Sequence, residues 1–361
     1  MVTDNKTQKL IMDLSNAFGA PGFEDDVVKT AALYAQDFVD QMVEDPMRNL
    51  MLYRKGNTGD KPVLMLDAHS DETAFMIQAI RPNGMLDFLP LGHWEASTVP
   101  ASKVWIRNRD GELISGVVAS IPTHYAKEAN AAGKPLEISS MVLDVGATSG
   151  DEVRDVFHIE VGDPAVPAVE VEFNEKSGVF LGKGFDCRIG CAVVLEVLKR
   201  LAGEELEVDV IGCLSAQEEV GERGCTAAVN EICPDVGLVI EGAPADDSFM
   251  PEYKIQTGVH RGPMMRHMDI SQIANPRMAR YIINTASANA IPLQRAVRSG
   301  GGTNAAAIHN LTGAVPAVVV SVPVRYTHSH HTFTALDDFE KTVELVIAVI
   351  RGMNEEVVAS F

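Results

Sequence analysis

Apolar residues fall into two patterns along this chain, continuous runs and spaced stripes. The runs Lys61-Pro-Val-Leu-Met-Leu-Asp-Ala68 and Val208-Asp-Val-Ile-Gly-Cys-Leu214, with two more at 236–241 and 315–323, leave few polar positions on either face. Strands buried between two helix layers of an α/β sheet read this way. The stripes predict helices. One opens at Gly22 and runs to about Leu33, with Glu24, Asp25 and Asp26 in its first turn, where the helix dipole favours acids. Ile189, Val193, Val194, Val197 and Leu198 mark one face of a second at 187–201, and a last helix is expected at about 336–352.

Between residues 73 and 174 the texture changes. Segments become short and β-like, broken by the turn signals Pro82-Asn83-Gly84 and Arg109-Asp110-Gly111. Residues 105–108 and 112–119 flank the second turn as a hairpin. The simplest organisation is one discontinuous α/β domain, 1–72 and 175–361, interrupted by a β-rich inserted domain at 73–174.

Composition narrows the partners. A formal net charge of -20 opposes binding to nucleic acid or to an anionic membrane surface. No 18-residue apolar span occurs, the N-terminal stretch has no signal-like apolar core, and the five cysteines lie mostly in apolar contexts. A cytoplasmic protein with reduced thiols is expected.

Candidate chemistry gathers where strands end. His69 and Asp71 follow the first run, and a carboxylate two residues from an imidazole can take its second ring proton. Asp186 precedes the 187–201 helix, where it could simply be an N-cap. Glu218 and Glu219 follow the second run, Glu241 ends the third, and His328 follows the fourth, ahead of His330 and His331, which are expected to be exposed. Each has a plain surface reading on its own. Together they fall on the carboxyl edge of one sheet, where open α/β folds bind ligands. Two histidines and several carboxylates suit Zn²⁺, Co²⁺ or Mn²⁺, and five ligands fit two ions sharing one carboxylate. The glycines 300–302 lack the P-loop pattern and suggest a flexible loop near the site.

The segments Ala68-His69-Ser-Asp71-Glu72, Phe185-Asp186-Cys-Arg-Ile-Gly190, Gln217-Glu218-Glu219-Val-Gly221, Gly300-Gly-Gly-Thr303 and Arg325-Tyr-Thr-His328-Ser329 resemble, in order, those of the M42 metallo-aminopeptidases. That resemblance implies a three-layer α/β zinc-peptidase-like catalytic domain with a small β-barrel-like insert that builds oligomer contacts, commonly a dodecamer. It implies two divalent ions per subunit, zinc or cobalt first and manganese as a further option. His69, Asp186 and Glu241 would hold one, and Asp186, Glu219 and His328 the other. Asp71 would orient His69, Glu218 would be the general base, and short peptides the substrates. Two positions depart from the family pattern. Cys187 stands where Asp or Asn is usual, and Asn304 replaces an Asp, removing a carboxylate near the pocket. A carbohydrate hydrolase, which needs two carboxylates and no metal, and a non-catalytic peptide-binding or assembly homologue are the rival readings.

Overall fold

A computed structural model describes residues 5–361 except 120, 123, 126–135 and 311–312. Its described strands form an eleven-stranded mixed sheet and a separate closed barrel. At the centre of the large sheet lie four parallel strands, in the order Asp209–Ser215, Val63–His69, Val236–Pro244 and Ala317–Arg325. Their register pairs Ser215 with His69, Val239 with Asp67, and Glu241 with Ser321, so all four run out on the same edge.

Both faces of these strands are covered, which explains the continuous apolar runs. Leu64, Leu66, Ala68, Leu238, Ile240, Val318 and Val320 pack into a core shared with the helices Asn5–Asn16, Asp25–Ala35, Phe185–Arg200, Pro276–Ala288 and Leu336–Arg351. The alternate residues Met65, Val239 and Val319 face the opposite layer, built from Arg223–Ile232 and Ala305–His309. Side chains alternate every residue along a strand, so one apolar run serves two cores. The expected three-layer α/β architecture is therefore the observed one. The last two parallel strands extend further than their apolar runs suggest, to Pro244 and Arg325, because they remain paired with each other through Pro244 and Val324.

Six strands close the barrel in the order Ala74–Ile80, Leu86–Leu91, Val142–Asp144, Leu113–Ala119, Lys103–Arg107 and Pro164–Pro167. The hairpin expected around Arg109-Asp110-Gly111 is present, with Val104 opposite Gly116. The Asn108 side chain closes its turn by accepting from the amides of Asp110 (3.1 Å) and Glu112 (2.8 Å). At the other turn, Gly84 has φ +87°, and a Cβ there would stand 2.6 Å from the Ala147 carbonyl oxygen. Only glycine fits both demands.

Phe75 centres the barrel's own core, edge-on to Phe88 at 4.9 Å and stacked on Trp94 at 4.7 Å. Phe75→Ala leaves a cavity that neighbours on a closed sheet cannot collapse into, and should cost about 3–5 kcal/mol. Chemical denaturation followed by circular dichroism checks this, and a loss below about 1 kcal/mol would mean that the barrel core is not packed as described.

Candidate metal centre

The shared strand edge assembles all the site residues expected from the sequence. His69 is the last residue of its strand, and its carbonyl accepts the Cys191 thiol at 3.0 Å, tying the strand end to the helix below. Its Nδ1 lies 3.3 Å from Asp71 Oδ1, while Nε2 faces Asp186 Oδ1 at 3.4 Å, Glu241 Oε2 at 3.7 Å and Glu218 Oε2 at 3.8 Å. The other oxygen of Asp186 lies 3.3 Å from His328 Nε2, which also faces Glu219 Oε2 at 3.7 Å. Asp186 thus stands between the two imidazoles with one oxygen toward each. Its backbone is not helical (φ -87°, ψ 100°) and its carboxylate caps no amide, so the N-cap reading does not hold.

Two adjacent glutamates at a strand end would point to opposite faces if the strand continued. It stops at Ser215, and Gln217 adopts φ +55°. Asp71 then holds the loop, accepting the Glu218 amide at 3.0 Å and the Glu219 amide at 3.1 Å. Glu24 accepts the Gln217 amide at 3.1 Å and the Gly22 amide at 2.8 Å. Both glutamates consequently reach one cleft. Below them, Glu72 is buried against Lys183 Nζ (2.5 Å) and Arg188 Nη2 (3.2 Å), and Arg188 also donates to the carbonyls of Leu14, Ala17 and Gly19. This ion triad joins the His69–Asp71 segment to the segment carrying Asp186.

Electrostatics show what the cluster lacks. Burial, with like charges nearby, raises Glu218 well above the usual carboxylate range, Glu219 to about 7 and Glu241 to about 8. Burial opposes charge on His328, but Asp186 and Glu219 prevail and lift it to about 9. His69 is raised in the same way, burial being outweighed by Glu218, Asp186 and Asp71. These groups share protons because they are buried together, the imidazoles supplying most of the opposing charge and Arg266 adding some at Glu241. Glu219 Oε1 and Glu241 Oε1 are buried without a hydrogen-bond partner. His69, Asp186 and Glu241 form one set of closely spaced donor atoms, and Asp186, Glu219 and His328 another. Orphaned oxygens and mixed N/O donors fit divalent cations. Cys187 lies near the first set, but burial pushes its thiol well above the ordinary value and it donates to the Ile240 carbonyl at 3.0 Å. It is a poor ligand in that state.

Asn304 takes a more definite place than expected, and the exposure expected of His330 needs correction. Asn304 is fully buried and does not line the cleft; its amide nitrogen donates to Asp67 Oδ2 and Ser215 Oγ, both at 2.8 Å. The position is structural because its amide meets an acid, Asp67, inside the fold. His330 is buried beside Trp94, ring centroids 5.3 Å apart, whereas His331 is exposed. The chain folds back between sheet and barrel at this point, covering an imidazole that a polar loop would leave open.

The cleft, about 800 Å³, is also lined by residues that local pattern does not single out, among them His93 from the barrel segment, Glu222, Arg266 and Arg298. Residues 300–302 line it as well.

A three-layer α/β sheet with a closed barrel and a His/Asp/Glu cluster on its carboxyl edge defines the zinc-peptidase-like class of proteins. More narrowly, the chain belongs to the M42 glutamyl aminopeptidase family, whose profile matches residues 49–345, and its class of activity is that of a peptidase. It is 30% identical to the glutamyl aminopeptidase of Lactococcus lactis over 87% of both chains. Among solved structures it resembles a TET aminopeptidase from the marine sediment archaeon Thaumarchaeota archaeon SCGC AB-539-E09, with a TM-score of 0.94, 34% identity and 99% of each chain covered. It also resembles the Pyrococcus horikoshii TET1 peptidase, described as assembling into a tetrahedron or a large octahedral shell, with a TM-score of 0.84, 26% identity, and 96% and 100% of the two chains covered. Among the described residues no helix is long and apolar enough to cross a membrane.

Burial raises Asp67 to about 6 although Asn304 and Ser215 donate to it. Asn304→Asp would set a second carboxyl group against it. Such a pair keeps its stability while protonated and loses it as pH rises through the raised pKa. Thermal melts should show a loss of about 2 kcal/mol or more at pH 8, a smaller loss at pH 5, and recovery when Asp67→Asn is added. A loss independent of pH would refute the carboxyl–carboxyl contact.

Proposed function

We propose that this cleft binds two divalent cations and hydrolyses the N-terminal peptide bond of short peptides. The observation that carries this reading is Asp186, whose two oxygens face His69 and His328 at 3.4 and 3.3 Å. His69 and Glu241 would complete one ion's protein ligands, and Glu219 and His328 the other's, with Asp186 shared. Zinc or cobalt suits this N/O set best, and manganese is the third option. When bound, such ions polarise the scissile carbonyl and lower the pKa of the attacking water towards neutrality.

Glu218 lies outside both ligand sets yet 3.8 Å from His69, on a loop held by Asp71. From there its carboxylate would accept the water's proton and pass it to the leaving amine. Asp71 would keep His69 oriented, with Nε2 turned into the cleft. A glycosidase needs only two carboxylates flanking its bond. Here the acids are interleaved with histidines and carry orphaned oxygens, which favours metal chemistry. A non-catalytic binder has no use for a free acid such as Glu218. We further propose that residues 73–174 build contacts of a homo-oligomer, a dodecamer on the family pattern. The acidic chain would work in the cytoplasm on peptides, with neither nucleic acid nor membrane as partner.

Exhaustive chelation should abolish cleavage of aminoacyl anilides, and Zn²⁺, Co²⁺ or Mn²⁺ should restore it; activity that survives chelation sinks the metal reading. Glu218→Gln should retain both metals, counted by mass spectrometry of the native protein, while kcat falls at least about 100-fold. Glu219→Gln should instead lose metal. Equal metal content in the two variants would remove the proposed division of roles.

A further inference from the structure

The charges around the cleft can be subtracted pair by pair. Arg266 Nη1 is bound to Asp269 Oδ2 at 3.1 Å. Arg298 donates to Asp246 Oδ2 at 3.0 Å, Thr257 Oγ1 at 2.5 Å and the Pro244 carbonyl at 3.1 Å. The ligand carboxylates and Glu218 are committed to the reaction centre. One lining carboxylate remains. Among the described residues Glu222 has no ion-pair partner, and its side chain makes no hydrogen bond.

Its placement is specific. The Glu222 amide donates to the Glu218 carbonyl at 2.9 Å, setting it one turn beyond the proposed base. It immediately precedes the helix Arg223–Ile232, and Glu222 (φ +55°) makes no side-chain cap bond to the first amides. Its carboxylate lies against the glycine loop instead: a Cβ on Gly302 would stand 2.7 Å from Glu222 Oε1. Half-burial, and then the nearby Asp269, raise its pKa to about 7, the mark of a carboxylate short of positive charge.

We infer that Glu222 is a specificity-determining residue and that the cleft selects peptides whose N-terminal side chain is basic, lysine or arginine. The inference rests on the aminopeptidase reading. Glu222 lines the same cleft as Asp186, one turn beyond Glu218, so with the scissile carbonyl at the Asp186 cluster a long N-terminal side chain has Glu222 on its wall. An ammonium or guanidinium ion would there find a partly desolvated carboxylate with no competing cation. An acidic side chain would meet Glu222's charge, and the two arginines in the cleft already have their charge offset by Asp269 and Asp246.

The test is a panel of Lys-, Arg-, Met- and Glu-anilides with the metal-loaded full-length protein. The wild type should show kcat/KM for Lys at least about 10-fold above that for Met, a neutral side chain of similar length, and about 100-fold above that for Glu. In Glu222→Gln the Lys-to-Met ratio should fall about 10-fold or more. In Glu222→Lys the Lys-to-Glu order should invert. A wild-type preference for Met or Glu overturns the inference even if the variants fail to fold, as does a Lys-to-Met ratio unchanged in Glu222→Gln. Turnover of no substrate with any metal would instead overturn the aminopeptidase reading.

Discussion

Carboxylate crowding at the end of four parallel strands is the constraint that the rest of this structure answers. Asp71, Glu72, Asp186, Glu218, Glu219 and Glu241 occupy one largely buried region. Acids so placed repel one another and lose hydration, so each needs its own counterweight. Glu72 has Lys183 and Arg188. Asp71 has two backbone amides, and Asp186 has two imidazoles. Glu219 and Glu241 each keep an orphaned buried oxygen, as does Glu72, but only Glu72 has two cations bound to its other oxygen. The unanswered part of the crowding is therefore not spread evenly. It lies on both sides of Asp186, which is where external cations would relieve it.

The sheet makes this concentration possible. Parallel register brings Ser215, His69 and the Glu241 strand to one edge without any contact local in sequence. Just beyond that edge the backbone leaves regular geometry, at Gln217 (φ +55°), Glu222 (φ +55°) and His328 (φ +60°). Rare backbone geometry at the site, on a scaffold with both faces packed, is how a rigid core aims side chains that a continuing strand would send apart.

Much of this is legible in the chain itself, for identifiable reasons. Runs apolar on both faces reveal strands such as Val63–His69 because the two helix layers demand it. His69, Asp186, Glu241 and His328 stand out as polar groups where such segments begin or end. The glutamate pair is visible too, although pattern alone cannot say that its strand stops at Ser215. What escapes local reading is pairing across the chain. Lys183 is 111 residues from Glu72, and nothing around either predicts the other. Glu24 reads as a first-turn helical acid, yet its carboxylate serves the Gln217 amide 193 residues away. Arg266 and Arg298 look like surface cations until Asp269 and Asp246 are seen beside them. His330 reads as loop because its burial depends on the barrel segment bringing in Trp94.

The same lesson explains why Asn304 belongs to the core. An asparagine in place of a family aspartate suggests, in isolation, a lost functional acid. Here Asp67 points to the same side of its strand as Met65, into the layer where Ala305–His309 begins, and meets the Asn304 amide there. Two aspartates in that position would add a further like-charge contact directly beneath the crowded edge. One acid and one amide keep a hydrogen bond while carrying a single ionisable group. Asn304 is thus better explained by Asp67 than by substrate, and the specificity question moves to side chains that line the cleft.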